Sequence, residues 1–318
     1  MRIVMLGAGA LGGLFAHHLA LGGADLVCVD TDAAHVAAIR AHGLRLRMAD
    51  GEHVSPVRAA QADFAGIGVV DVLVLFVKGY ASREALMSVR SVQSAQPVVG
   101  PHTVIVTLQN GLGNAQVVRE AFPAQHVLYG LTTLTSDMAA PGVISPRSTA
   151  AGVTDVWTLD PSNLAPAEAF VALLNRGGIA ARVTPDIDRS IWKKLVVNCA
   201  FNGLCAVTDL SCGQLRDQPA SWPVLDGICD EVTALAAAEG VMVDAAEARA
   251  FLRDVAAASR AHHPSMVQDM RAGRRTEIEK LNGAVLRGSE RHGLAAPVNR
   301  MAHALVSAME ANHGAPRD

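Results

Sequence analysis

The sequence predicts an α/β domain built on a parallel sheet, followed by an all-α helical domain. Three observations carry that expectation. Short β-branched runs alternate with helical stretches through the first half, the pattern of a parallel sheet covered on both faces. A glycine-rich turn, Gly7-Ala8-Gly9-Ala10-Leu11-Gly12, sits between an apolar strand and an apolar helix at the start of the chain. Beyond Pro185 the sequence reads as helix after helix, rich in Ala, Leu and Glu, with no convincing strand.

Taken in order, strands are expected at 2–6, 25–29, 69–77 and 103–108, with helices at 10–21, 32–42, 82–94 and 113–121. Further short strands follow at 127–133, 143–145, 153–159 and 179–183, with a helix at 166–175 before the last. Thr184-Pro185-Asp186 is the expected boundary, giving domains of 1–185 and 186–318. The polar residues 312–318 are expected to fray. A chain of 318 residues is long enough for a core in each domain.

Composition narrows the partners. Half the residues are apolar and only 18% are charged, which excludes disorder as the main state. The balance of 27 basic and 30 acidic side chains leaves no general positive field for nucleic acid or an anionic membrane. Aromatic residues, at 4%, are too few for a base-stacking platform. Five cysteines (28, 199, 205, 212 and 229) contain no CxxC pair and read as reduced, mostly buried thiols, so no metal is expected. Glycines at 7, 9, 12 and 13 break the apolar N-terminal stretch, unlike a secretory signal. The apolar run at 69–77 is too short to span a bilayer and carries Asp71. These features predict a cytoplasmic protein with a small-molecule partner. A face of the Ala-rich helical half is the candidate surface for a homodimer.

The glycine turn has the G-x-G-x-x-G spacing of a Rossmann dinucleotide site. Gly7 permits the tight turn, Gly9 lets the backbone approach a pyrophosphate, and Gly12 lets helix pack on strand. Backbone N–H groups of Ala10, Leu11 and Gly12 open the helix, where an anion is favoured. Asp30 ends the next strand, 18 positions after Gly12, near the spacing of a ribose-binding carboxylate. A carboxylate there accepts from a free 2′-OH and repels a 2′-phosphate, and neither Thr31 nor Asp32 supplies an arginine. NADH is therefore expected over NADPH.

Several motifs then become specific in combination: GAGALG at 7–12, Val77-Lys78-Gly79-Tyr80, and Gln109-Asn110-Gly111-Leu112-Gly113. They are joined by Trp192-Lys193-Lys194-Leu195-Val196-Val197-Asn198, Ser265-Met266-Val267-Gln268-Asp269, Thr276-Glu277-Ile278 and Asn282-Gly283. In that order they resemble the ketopantoate reductase (2-dehydropantoate 2-reductase) family, from Gly7 to about Asn299. The resemblance implies that Lys194 is the general acid that protonates the carbonyl oxygen as hydride arrives, with Glu277 as the catalytic-site glutamate. It implies substrate contacts from Asn198, Asn202 and Ser265. Lys78 and Asn110 match residues that close over the cofactor and order its nicotinamide and substrate end.

The residue chemistry agrees with that implication. Reducing a 2-oxo acid places negative charge on the carbonyl oxygen, and lysine can both neutralise it and release a proton. Lys194, Asn198 and Asn202 are spaced by four, one stripe of an α-helix, within an apolar sequence where polar groups want a partner. Three positions depart from the family pattern. Asp30-Thr31 replaces the usual arginine, Cys212 stands where an asparagine is common, and His262 stands at the place of an amide just before Ser265. The leading expectation is reduction of ketopantoate to pantoate, a step in pantothenate biosynthesis. Two alternatives stay open: an NAD(H)-dependent enzyme for another 2-oxo or 2-hydroxy acid, and a non-catalytic dinucleotide-sensing protein.

Overall fold

Alternation along the first strand shows how the central sheet is covered. Ile3 and Met5 of β1 (Arg2–Leu6) enter one apolar cluster, while Val4 and Leu6 enter another. In β6 (Val70–Leu75), Val72 and Val74 join the first cluster and Leu73 and Leu75 the second. Successive side chains point to opposite faces, so both faces of these strands are packed, as a parallel sheet requires.

The computed structural model describes residues 1–55, 57–60, 63–147, 152–258 and 260–313, so most of the tail expected to fray lies outside it. The remaining strands are β2 (Asp25–Val29), β3 (Leu44–Met48), β4 (Gly51–Ser55), β5 (Arg58–Ala60) and β7 (Val99–Thr107). They continue with β8 (His126–Thr132), β9 (Ser136–Ala140), β10 (Val143–Pro146), β11 (Val153–Thr158) and β12 (Ala180–Val183). Eight form one sheet in the order β12-β11-β8-β7-β6-β1-β2-β5. Its pairs are parallel except β11 against β8. The chain runs from β1 to β2 on one side and returns to β6 on the other. That reversal is the switch point at which open α/β sheets bind ligands.

A second sheet, in the order β4-β3-β10-β9, has no counterpart in the expected pattern apart from β10. Its strands are short: β3 buries Leu44 and Leu46 in the first apolar cluster, while Arg45 and Arg47 between and beside them both pair with Glu52 of β4. No β-branched run marks β3, β4 or β9.

The chain divides into two compact units, Met1–Gln109 with Gly113–Ile187, and Asn110–Leu112 with Asp188–Asp318. After the helix Ile187–Val197, every regular element among the described residues of the second unit is a helix. Its core gathers Trp192, Leu195, Phe201, Ile228, Val232 and Val285. No helix among the described residues is long and apolar enough to cross a membrane.

Candidate active site

In the first unit, sterics dictate two of the three motif glycines. Gly7 has φ +92°, and a Cβ there would lie 2.6 Å from the Val77 nitrogen. A Cβ on Gly12 would lie 2.0 Å from the Gly7 carbonyl oxygen and 3.1 Å from the Phe76 Cβ. Both residues let the helix Ala10–Leu21 seat tightly on the ends of β1 and β6. Gly9 differs. Its φ is −59°, and the nearest atom to an added Cβ is the Met138 Cε at 4.0 Å. Space is thus left open at the helix N-terminus, where Ala10, Leu11 and Gly12 form the first turn and unpaired N–H groups favour an anion. This cradle fits the pyrophosphate of a dinucleotide.

Lys78 follows directly on the Phe76–Val77 segment against which Gly7 is packed. Gln109 fixes the neighbouring strand end: its side-chain amide donates to the Val77 carbonyl and, at 2.9 Å, to the Ser82 hydroxyl. Asp30 is committed to the chain's own backbone. One oxygen accepts from the Ala8 N–H at 2.7 Å and the other from the Asp32 N–H at 2.9 Å.

In the second unit, Lys194 lies in the last turn of the helix Ile187–Val197 and is half-buried. Burial pushes its ammonium down to about 8, and the Glu277 carboxylate opposes that shift by attraction. Glu277 immediately precedes a 3-10 turn, Ile278–Lys280. Arg274, upstream of it, pairs instead with Asp269 at 3.0 Å. Ser265 opens the helix Ser265–Arg271 on an exposed position.

Asn198 and Asn202 do not lie on a continuous α-helical stripe. They are the first and last residues of a π-turn, Asn198–Asn202, between two α-helical stretches. Such turns often occur at functional sites. The Asn282 side chain, fully buried, donates to the Cys199 carbonyl inside this turn at 3.1 Å and to the Asn299 side chain at 2.9 Å. Asn299 in turn donates to Glu231 at 2.8 Å. The wider turn is thereby tied to the helix bundle.

Asn110 belongs to this unit by contact, although it follows β7. Gly111, at φ +89°, brings the turn so close to the second unit that a Cβ would lie 2.5 Å from the Lys280 carbonyl oxygen. The chain thus carries Asn110 to the Ile278–Lys280 turn that Glu277 precedes. The position of Cys212 is interior. It is 3% exposed, its thiol is hydrogen-bonded to that of Cys205, and its N–H donates to the His262 carbonyl at 3.0 Å.

Comparison with known proteins adds the family. The profile described as ketopantoate reductase PanE/ApbA matches residues 3–156, and the one for its C terminal matches 186–310. A 2-dehydropantoate 2-reductase of Halobacterium salinarum is 34% identical over 96% of this chain and 98% of its own. The solved 2-dehydropantoate 2-reductase of Geobacter metallireducens superposes with a TM-score of 0.85 at 28% identity, covering 97% of this chain and 99% of its own. D-mandelate dehydrogenase, solved with NADH and anilino(oxo)acetate, superposes with a TM-score of 0.92 at 27% identity, covering 99% of this chain and 100% of its own.

These findings correct one expectation. The curated relatives carry the name 2-dehydropantoate 2-reductase, an NADPH-dependent activity, which overturns the preference for NADH drawn from Asp30. The physical reason is local: the Asp30 carboxylate serves as acceptor for the Ala8 and Asp32 N–H groups, so its place at the strand end follows from holding the loop. With both halves matched by its profiles and a full-length relative at 34% identity, the chain belongs to the ketopantoate reductase family, a family of oxidoreductases.

Proposed function

We propose that this enzyme reduces 2-dehydropantoate to pantoate, taking hydride from NADPH, with Lys194 as the general acid. The observation that carries this reading is the half-buried Lys194 beside Glu277, one turn before the asparagine at the head of the π-turn. When bound, the dinucleotide supplies the hydride. Gly9 and the N–H groups of Ala10, Leu11 and Gly12 hold its pyrophosphate, and Lys78 and Asn110 order the nicotinamide end. Asn198, Asn202 and Ser265 bind the substrate's polar groups. Lys194 hydrogen-bonds the carbonyl oxygen through its ammonium, and its proton passes to that oxygen as negative charge develops there. Glu277 keeps enough of the lysine protonated for that transfer.

The sign of the pH dependence follows. Reduction needs Lys194 charged, so kcat/KM is expected to fall as pH rises through about 8, the value to which burial lowers this ammonium. Glu277→Gln removes the attraction that raises it, so the midpoint is expected to move to lower pH by about one unit or more. A pH profile of kcat/KM for both proteins checks this. An unmoved midpoint would separate Glu277 from the lysine.

Steady-state kinetics with ketopantoate and simpler 2-oxo acids, each with NADPH and NADH, test the assignment. Ketopantoate with NADPH is expected to reach roughly 10⁴ M⁻¹s⁻¹ or better. A second reading, the same lysine chemistry on another 2-oxo acid, is favoured by the likeness to D-mandelate dehydrogenase. Weak ketopantoate turnover beside a strong aromatic 2-oxo acid would select it.

A further inference from the structure

We infer that His35, a fully buried residue of the helix Ala33–His42, is a positioning residue for the dinucleotide, acting through the glycine loop. This rests on the dinucleotide site described above. The His35 Nε2 lies 2.8 Å from the Ala8 carbonyl oxygen, and its Nδ1 lies 2.9 Å from the Gly142 nitrogen. The partners assign the tautomer. A carbonyl oxygen only accepts, so Nε2 carries the proton; a backbone N–H only donates, so Nδ1 is bare.

Ala8 is therefore gripped on both sides. Its N–H donates to Asp30 and its carbonyl accepts from His35. The peptide joining Ala8 to Gly9 is trans, so a carbonyl held toward the buried ring turns the Gly9 N–H the opposite way. Gly9 is half-exposed and is the motif glycine with open space before it. His35 thus fixes the direction of a backbone donor at the place where the pyrophosphate is to be held. The second contact braces the ring. Gly142 sits in the turn between β9 and β10, has φ +72°, and packs so closely that a Cβ would lie 2.9 Å from the Ala38 Cβ. Its carbonyl also accepts from the Arg45 N–H at 2.9 Å, joining the turn to the second sheet. That sheet therefore supports the far side of the ring that orients the loop.

Two amide side chains separate positioning from mere packing. Glutamine can place a donor near the Nε2 position and restore the bond to Ala8, leaving Gly142 unpaired. Asparagine can place an acceptor near Nδ1 and restore the bond to Gly142, but stops short of Ala8. Each replaces one of two buried hydrogen bonds, so their melting temperatures should fall alike. Their NADPH affinities should not. Titration of NADPH fluorescence is expected to show His35→Asn and His35→Ala weakened roughly tenfold, the worth of one hydrogen bond, with His35→Gln within about threefold of wild type. At saturating NADPH, kcat should change little in any of them. Equal weakening by Gln and Asn, or wild-type affinity in folded His35→Ala, would overturn the inference. Wild-type protein that binds neither NADPH nor NADH would overturn the dinucleotide reading and this inference with it. A readout independent of variants is the ¹⁵N spectrum of the His35 ring in dinucleotide-free protein. The Nε2–H tautomer is expected, and an Nδ1–H tautomer would sink the proposal.

Discussion

Lys194→Ala is expected to lower kcat/KM for the 2-oxo acid by about 10³-fold while leaving NADPH affinity within about twofold of wild type. The ammonium is the group placed to meet the developing oxyanion, and no part of the glycine loop depends on it. Lys194→Arg should fail to restore the rate. It keeps a positive charge, but its guanidinium holds its proton well above the working pH range and presents a different geometry. The pair of variants divides the role of the residue: recovery by arginine would mean that charge alone suffices and that proton donation comes from elsewhere. Melting curves of both variants guard against a trivial loss of fold. Near-normal turnover in a folded Lys194→Ala would remove lysine from the mechanism.

The second large effect is expected at the glycine motif, where two alanines should fail in opposite ways. Gly12→Ala places a methyl 2.0 Å from the Gly7 carbonyl oxygen, a backbone atom that cannot turn aside. Helix and strand must separate, at a cost of about 3 kcal/mol or more. Thermal melting should show a large loss of stability or little folded protein. Gly9→Ala meets nothing closer than 4.0 Å and has a φ that alanine accepts, so its melting temperature should match wild type. Its methyl occupies the approach to the phosphates, and NADPH affinity should drop at least about tenfold. Unchanged affinity in Gly9→Ala would mean that the loop does not cradle the dinucleotide.

Features carried by local sequence were legible. The helix Ala10–Leu21 and the strands β1 and β2 have the bounds that their apolar runs and glycines imply. Features that depend on distant partners were not. Nothing near Asn198 and Asn202 announces a π-turn; its carbonyl partner, Asn282, lies 83 residues from Cys199. His35 reads as an ordinary helix residue because its two partners lie 27 positions before it and 107 after it. Asp30 misled for the same reason. Its spacing from Gly12 is that of a ribose ligand, but each of its oxygens also accepts a backbone N–H, one of them from Ala8, 22 positions earlier, so a loop-holding role puts a carboxylate at the same place. The second sheet escaped for a different reason: β3 does alternate, burying Leu44 and Leu46 and pairing Arg45 and Arg47 with Glu52, but it has only five residues and no β-branched one, and its partner β4 is exposed over four of its five residues.

The turn Asn110–Leu112 has a consequence for how this family can be recombined. These three residues are encoded within the first half of the gene yet are packed with the helical unit, with Gly111 pressed on the Lys280 carbonyl. A chimera spliced once, at 187/188, would pair the turn of one parent with the Lys280 region of the other. Exchange of helical halves between relatives therefore needs a short second graft at 110–112, and shuffled libraries that omit it should be poor in folded members.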